Sequence, residues 1–415
     1  MEAVEPAHGA NNGKAVAASL LADVSSMADD MLVYIAQRIP EVGGDPELRG
    51  LTLGSCSSNI EAVLSMVRHG IDVTAAEAPV TALQHARAMA SRGHSVDVML
   101  RFYRLGHEYF TLKLSDSLAE WVENPAVALK TFVDLELYGF RYIDRISSLV
   151  AAEYVAELDR RQNQARAERA DVVRALLAGE RVDIARAERV LSHRLTGRQV
   201  GFMCWADDRG VDLEGFARQV DVSLGAGHCL VVADGPLTVS GWASVTGDVR
   251  TPLAGMTTDF SEFDKIHVAV GSPHPGAAGF RISHSEARRV RRITELSGRT
   301  APSVTRFSDV ALVDAISRDL DAARSFVCAE LGALARDDTK ERSERAALLA
   351  VLDAQGSLVT AASTLGIHRN TVLQRMRRAE ERRGRPATRN IAELHAALMV
   401  CNVLGASVLQ GSEPK

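Results

Sequence analysis

The sequence lacks most features that mark secreted, membrane or metal-binding proteins. Its five cysteines are far apart, and no CxxC or Cys/His ligand spacing occurs, which favours reduced thiols over a disulfide framework or a metal site. No apolar run of about 20 residues is present to span a membrane. The N-terminus lacks the basic start and apolar core of a secretory signal. We therefore expect a cytoplasmic protein with no membrane association and no bound metal.

Familiar catalytic motifs are also missing. There is no Gly-x-Ser-x-Gly elbow. The segment GSPHPGAAGF (271–280) has neither the lysine of a phosphate-binding loop nor the spacing of a dinucleotide fingerprint. We expect no catalytic residues, no cofactor and no enzymatic activity.

The composition is that of a globular protein with several domains. At 415 residues, 46% hydrophobic and 24% charged, the chain should form two to four domains. Its formal net charge is only −5, so any strongly basic surface must be local. Lysine is scarce beside abundant arginine and alanine, which is typical of GC-rich bacterial genomes.

The segment GSLVTAASTLGIHRNTVLQRMRRAEERRG (356–384) has the pattern of two short helices joined by a tight turn. The first helix is predicted from Ser357, as N-cap, to Leu365. Gly366 can adopt the positive φ that the turn requires. The second helix should begin near His368 or Arg369 and continue to about Arg383. This arrangement is typical of a helix-turn-helix.

The second helix has an apolar face and a basic polar face. Val372, Met376 and Ala379 share one stripe, which should be buried. Between residues 368 and 389 there are eight arginines and only two acidic residues. An ordinary helical hairpin with solvated arginines is the alternative interpretation, but the turn and the polar face together favour DNA binding.

Arginine can pair with guanine, and asparagine or glutamine with adenine. Thr360 and Arg378 are expected to contact phosphates, which position a helix without specifying sequence. Arg375 lies beside the buried stripe and is expected to brace the fold. The predicted DNA contacts are Thr360, His368, Arg369, Asn370, Thr371, Gln374, Arg377 and Arg378.

The same segment resembles a known family. GIHRNTVLQRMRRAEERRG, followed by AELHAALMVCNVLG, looks like the C-terminal helix-turn-helix of PucR/CdaR-type bacterial transcription regulators, which is similar to the Fis-type DNA-binding fold. The HRNT core (368–371) and the upstream TAASTLG carry the resemblance. It implies a transcription regulator that reads the major groove of double-stranded DNA. Such a module is expected to act as a homodimer or higher oligomer on half-sites about 34–36 Å apart or a multiple of this.

Two other segments resemble domains of the same regulators. VAVGSPHPGAAGFRISHSEARRV (268–290) is similar to their degenerate GGDEF-like domain. VDVMLRFYRLGHEYF (96–110) is similar to their helical sensor region, itself similar to RsbR-type stress proteins. A nucleotide cyclase would need carboxylates that hold magnesium, but Gly43-Gly44 is followed by Asp-Pro rather than by an acidic pair and Phe. Whether the middle domain binds a nucleotide and whether the sensor binds a small-molecule effector stay open.

The fold class predicted from these patterns is a mainly α, multidomain chain: an N-terminal helical bundle or globin-like domain, a central degenerate GGDEF-like α/β domain and a C-terminal helix-turn-helix domain. Strands are predicted at 199–206, 228–235, 238–245 and 265–273. A paired signalling helix is plausible where the connecting helix lies. The expected divisions are a disordered tail (1–14), the sensor (15–148), a connecting helix (149–180), the GGDEF-like domain (181–336), the DNA-binding domain (337–408) and a tail (409–415).

Arg101, Arg104 and His107 recur every three residues on one predicted helix of the sensor. They are either contacts for an effector or a solvated stripe opposite the aromatic core face, and the second interpretation is favoured. The alternative function for the whole chain is an RsbR-like signalling or scaffold protein that acts through protein partners.

Overall fold

The computed structural model describes residues 7–40, 44–207, 210–224, 229–245, 266–298 and 304–410. It divides into two compact units, Met1–Arg166 and Ala167–Lys415. Parts of several predictions lie outside the described residues: residues 1–6 and 411–415 of the terminal tails, Gly43 of the Gly-Gly pair, and the first residues of two predicted strands, His228 and Lys265.

The first unit is all helical. Its helices are α1 (Ala7–Leu20), α2 (Val24–Arg38), α3 (Pro46–His69), α4 (Val80–Ser91), α5 (Val96–Trp121) and the first part of α6 (Pro125–Ala178). Asp45 caps α3 by accepting hydrogen bonds from the N–H groups of Glu47 and Leu48, and Ser95 caps α5, as expected of these residue types. Side chains from every helix form one apolar core.

Two boundaries in this unit differ from the prediction. Helix α1 includes residues 7–14, which were assigned to a disordered tail; it continues into Val16 and Ala17, whose burial stabilises the helix. Helix α6 is continuous across Leu149, where a separate connecting helix was predicted. Glycine at 139 is the sole glycine or proline after its first residue, so nothing in the sequence ends the helix earlier.

The second unit contains a mixed sheet. Its strands are β1 (Arg198–Ala206), β2 (Cys229–Ala233), β3 (Thr238–Val245), β4 (Ile266–Val270), β5 (His274–Pro275) and β6 (Val304–Arg306). The order is β2-β3-β1-β4-β6, with β5 paired to β1. All pairs are antiparallel except β4 with β6. The four predicted strands are confirmed; β5 and β6 are too short to give a hydrophobic pattern.

Helices cover both faces of this sheet. Even-numbered residues of β1, such as Phe202, pack against helix α8 (Leu213–Ser223). Odd-numbered residues, such as Met203 and Trp205, face the side of helix α9 (Gly276–Ser297). This alternation explains why the strand sequences are apolar at nearly every position. The end of α6 packs with helix α7 (Ile184–Leu191) beside α9.

The remaining helices complete the unit. They are α10 (Phe307–Ile316), α11 (Leu320–Leu331), α12 (Thr339–Asp353), α13 (Leu358–Leu365), α14 (Arg369–Arg383) and α15 (Ile391–Leu404). Residues of α9 to α12, α14 and α15 share one apolar core. In α15 the predicted stripe is buried at Leu394, Ala397, Leu398 and Cys401, but Ile391 is 51% exposed at the first residue of the helix.

The segment RDDTKERSER (336–345), predicted as a charged break, is mostly helical. Asp338 caps α12 by accepting a hydrogen bond from the N–H of Lys340 at 3.2 Å. Arg345 is buried and donates to the carbonyl of Arg336 at 2.7 Å. The charges of this segment therefore satisfy helix ends and buried partners, which a count of charged residues does not reveal.

Candidate DNA-binding surface

Helix α13 is fixed at both ends by the residues that the sequence suggested. Ser357 accepts a hydrogen bond from the N–H of Thr360 at 3.3 Å. Gly366 follows the helix with φ +65°, a conformation that costs glycine little. The N–H of Ile367 then bonds to the carbonyl of Ala362 at 3.1 Å. These contacts set the turn between α13 and α14.

His368 is the N-cap of α14. Its Nδ1 accepts a hydrogen bond from the N–H of Asn370 at 3.2 Å. Accepting through Nδ1 requires a lone pair there, so the proton of the neutral imidazole is on Nε2. The capping role was missed because Ser, Thr, Asp and Asn are the usual caps. The remaining Nε2–H is the group of this side chain that can donate to a phosphate or base.

The apolar stripe of α14 is buried as predicted. Val372 and Ala379 are fully buried, and Met376 is partly buried beside them. They pack against α12 and against Ala361 and Ala362 of α13. The opposite face of α14 is consequently directed to solvent.

The predicted contacts lie on this solvent face or on α13. All eight are exposed except Thr371, which is partly buried. Thr360 lies on α13, where its hydroxyl is 2.9 Å from that of Ser357. Within the described part of the chain, the side chains of Arg369, Gln374 and Arg377 make no hydrogen bond or ion pair. Their polar groups are therefore available to a ligand.

Three of the eight arginines are committed to the fold. Arg382 forms ion pairs with Glu341 and with Glu344, the latter at 2.9 Å. Arg383 and Arg385 both pair with Glu330 of α11. The cationic surface is thus smaller than the sequence suggested. Among the described residues, ion-pair partners are absent for the others: Arg369, Arg375, Arg377, Arg378 and Arg389.

Arg389 was not among the predicted DNA contacts. It is exposed in the loop after α14, and the basic run itself was the signal that could have identified it. Arg375 is partly buried, and its bracing role stays a prediction.

The buried carboxyl group of Glu344 lies near the basic helix. Burial raises its pKa, whereas the charges of Lys340 and Arg378 act to lower it. Arg378 therefore stabilises a charge inside the domain in addition to its predicted phosphate contact. Replacing Arg378 would disturb both, so Arg369 and Arg377 are cleaner positions at which to test DNA contact.

The middle domain contributes none of the predicted contacts. Its β2–β3 hairpin has the sequence Asp234-Gly235-Pro236-Leu237, with a single carboxylate. In the described ranges no group of three His, Cys, Asp or Glu residues is placed to hold a metal ion. No described helix is long and apolar enough to cross a membrane. None of the five cysteines forms a disulfide.

Three family descriptions match successive parts of the chain. Residues 25–169 match the RsbT co-antagonist protein rsbRD N-terminal domain. Residues 177–293 match the GGDEF-like domain, and residues 345–400 match the PucR C-terminal helix-turn-helix domain. The three matches agree with the resemblance of the sequence to PucR/CdaR-type regulators. The helix-turn-helix match includes α13, α14 and most of α12 and α15.

One solved structure similar to this chain is a regulator of polyketide synthase expression from Bifidobacterium adolescentis. The two are 20% identical over 56% of this chain and 91% of that one, with a TM-score of 0.28. That score is too low to support a shared arrangement. No curated protein matches the chain.

Proposed function

We propose that the protein is a sequence-specific DNA-binding transcription regulator whose helix α14 enters the major groove of bacterial DNA in the cytoplasm, under the control of the N-terminal helical unit. The solvent face of α14 carries this proposal. It combines a capped, rigidly packed helix with Arg369, Asn370, Gln374 and Arg377, which are the side-chain types that read base edges. The helix-turn-helix match supports it.

A positive helix end also favours DNA. The N-terminus of α14 is the positive end of the helix dipole, which suits a phosphate. Thr360 on α13 and Arg378 on α14 are exposed, and we propose that they contact phosphates. The middle domain then serves as a platform: its core is continuous with that of the helices that support α14.

We expect Arg369→Ala and Asn370→Ala each to weaken specific DNA binding by about 5- to 150-fold, which corresponds to one lost base contact. A target sequence is first selected from a random DNA pool with the full-length protein. Affinities are then measured by fluorescence anisotropy, with circular dichroism as a test of folding. Arg101→Ala, an exposed arginine of the first unit, is the charge-matched control and should bind like the parent. Unchanged affinity in both α14 variants would show that another surface reads the DNA.

The second unit offers one reading helix, so we also propose a homodimer. An exposed apolar stripe on α6 supports it: Leu129, Val133, Leu137 and Phe140 are each 46–65% exposed. They recur at four- and three-residue steps and so lie on one face of the helix. Large apolar groups clustered in this way mark an interaction surface. A second copy is the occupant we propose, because a two-fold assembly supplies the paired reading helices that half-sites require.

The double variant Leu129→Glu, Leu137→Glu is expected to be monomeric. Both residues are exposed, so folding should be retained while two charges are placed in the proposed contact. Light scattering after size exclusion measures the mass of the variant and parent. Glu120→Gln, an exposed substitution in α5 outside the stripe, is the control. A parent that is monomeric at micromolar concentration, or a variant that stays dimeric, would contradict the proposal.

The RsbRD-type match of the N-terminal unit supports a second candidate function. In this alternative the protein is a signalling or scaffold protein that acts through protein partners. A salt titration separates the two. DNA binding through several phosphates should weaken steeply with salt because counterions are released. A scaffold would show no saturable DNA binding at low salt.

A further inference from the structure

The first unit contains a cavity lined by α2 to α6. Its volume is about 70 Å³, measured as space for the centres of water-sized spheres. A single water needs roughly 10–15 Å³ on that measure. The cavity is therefore large enough for several waters or one small organic molecule. Most of its wall is apolar, including Met31, Phe102 and Phe110.

Two glycines help to create this space. Gly106 of α5 and Gly139 of α6 both line the cavity. A Cβ atom on Gly106 would meet only Met31 Sδ, at 3.5 Å, and one on Gly139 would lie 3.4 Å from His107 Cε1. Glycine weakens a helix interior relative to alanine. Both helices therefore carry a poor helix former where a side chain would enter the cavity.

Two buried polar groups of the lining, on His85 and Tyr103, have hydrogen-bonding capacity left over. Nδ1 of His85 makes no hydrogen bond among the described residues, and the buried hydroxyl of Tyr103 has only an off-geometry contact with the Ser55 side chain. In contrast, the hydroxyl of Tyr142 donates to Asn59 Oδ1 at 3.0 Å. Buried polar groups normally find partners, so His85 Nδ1 is available to accept a hydrogen bond from a molecule in the cavity.

The hydrogen bonds of Thr52 determine which ring nitrogen of His85 donates and which accepts. The Thr52 hydroxyl donates to the carbonyl of Leu48 at 2.8 Å and lies 3.2 Å from His85 Nε2. Its proton is already used, so His85 must donate through Nε2–H, which leaves Nδ1 as an acceptor. Burial lowers the pKa of His85 to about 4, so the ring is neutral at pH 7. The cavity thus offers an acceptor and, at Tyr103, a hydroxyl.

We propose that this cavity binds a small, uncharged, largely apolar molecule that carries hydroxyl groups, of which a phenol is the simplest. A hydroxyl can donate to His85 Nδ1 or accept from Tyr103. A charged molecule is excluded, because burying a charge without an opposite partner is unfavourable. His107 and Ile143 also line an adjoining surface recess between α5 and α6, which gives a route of entry. The regulatory meaning of such binding rests on the proposed function; the binding itself does not.

The test is calorimetric titration of the full-length protein with phenol, toluene and benzoate, without DNA. Phenol should bind saturably, toluene more weakly and benzoate not at all. Tyr103→Phe should reduce the affinity for phenol about tenfold while leaving that for toluene unchanged, since it removes only the hydroxyl that would bond to phenol. Gly106→Leu should fill the cavity and abolish both.

The control is Gly50→Ala, a glycine of α3 with open space around it, which should bind phenol like the parent. If Gly106→Leu does not fold, Tyr103→Phe alone decides. The proposal is overturned if phenol does not bind, if benzoate binds as tightly, or if Tyr103→Phe weakens both aromatic probes equally. None of these results would bear on the DNA-binding experiment, because no DNA is present.

Discussion

Replacing Arg383 by alanine is expected to destabilise the second unit by about 3–5 kcal/mol, the range for removing one partner of a buried ion pair. The Arg383 side chain is completely buried and pairs with Glu330. It also donates to the carbonyls of Glu330 at 3.1 Å, Pro386 at 2.8 Å and Arg389 at 3.0 Å. Alanine would remove this donor from the Arg389 carbonyl, whereas the Glu330 carbonyl keeps Arg385 and the Pro386 carbonyl keeps the N–H of Arg389. Arg385 remains to pair with the Glu330 carboxylate, so we expect a loss at the lower end of this range.

The measurement is urea unfolding followed by tryptophan fluorescence. Trp205 and Trp242 are buried in the second unit, so their emission reports on it. Arg377→Ala is the matched control on the same helix; it is exposed and should change stability by less than about 0.5 kcal/mol, yet weaken DNA binding. The double variant Glu330→Met, Arg383→Met should recover part of the lost stability, because apolar pairs often replace buried ion pairs without loss. An Arg383→Ala midpoint equal to that of the parent would refute this account.

The helix containing Arg383 could be predicted from the sequence, but the ion pair of Arg383 could not. The helices of the turn motif were predictable, because Ser357 and Gly366 determine their ends locally and Val372 identifies the buried face. Which arginines form ion pairs and which stay exposed was not predictable. Glu330 lies 53 residues before Arg383, and nothing in the local pattern distinguishes a paired arginine from an exposed one. The predicted DNA contacts remain a hypothesis that the exposure of α14 supports.

The strands were predictable for a similar local reason. Four apolar runs rich in Val, Cys and Trp became β1 to β4, whereas β6 has only three residues and depends on its parallel pairing with β4. The cavity was beyond prediction. Of the three residues considered as ligand contacts, Arg101 and Arg104 are exposed and His107 lines the cavity wall. His85 Nδ1 and the Tyr103 hydroxyl come together in one cavity only when the five helices α2 to α6 pack against each other.

Two glycines of the segment 271–280 have a structural role. The sequence excluded a phosphate-binding loop and a dinucleotide fingerprint there, but it did not reveal this role. A Cβ on Gly271 would lie 2.1 Å from the carbonyl oxygen of Ser283 and 2.6 Å from its hydroxyl. A Cβ on Gly279 would lie 2.1 Å from the carbonyl oxygen of His274. These glycines allow α9 to approach the sheet closely, and the Ser283 hydroxyl accepts a hydrogen bond from the N–H of Gly201 at 2.7 Å. Close packing of α9 on the sheet thus explains why glycine is needed at positions 271 and 279, with no need for a phosphate-binding role.

Gly271→Ala is accordingly expected to destabilise the second unit by about 3 kcal/mol or more, the upper end of overpacking in a core. The clash is with backbone atoms of α9, which cannot move without shifting the helix from β1 and β4. Gly50→Ala is the matched control: it adds the same methyl group where nothing lies within 4 Å, and should stabilise α3 by up to about 1 kcal/mol. The stability of Gly271→Ala is measured by urea unfolding followed by tryptophan fluorescence. That of Gly50→Ala is measured by urea unfolding followed by circular dichroism. If Gly271→Ala is as stable as the parent, α9 does not approach the sheet as closely as described.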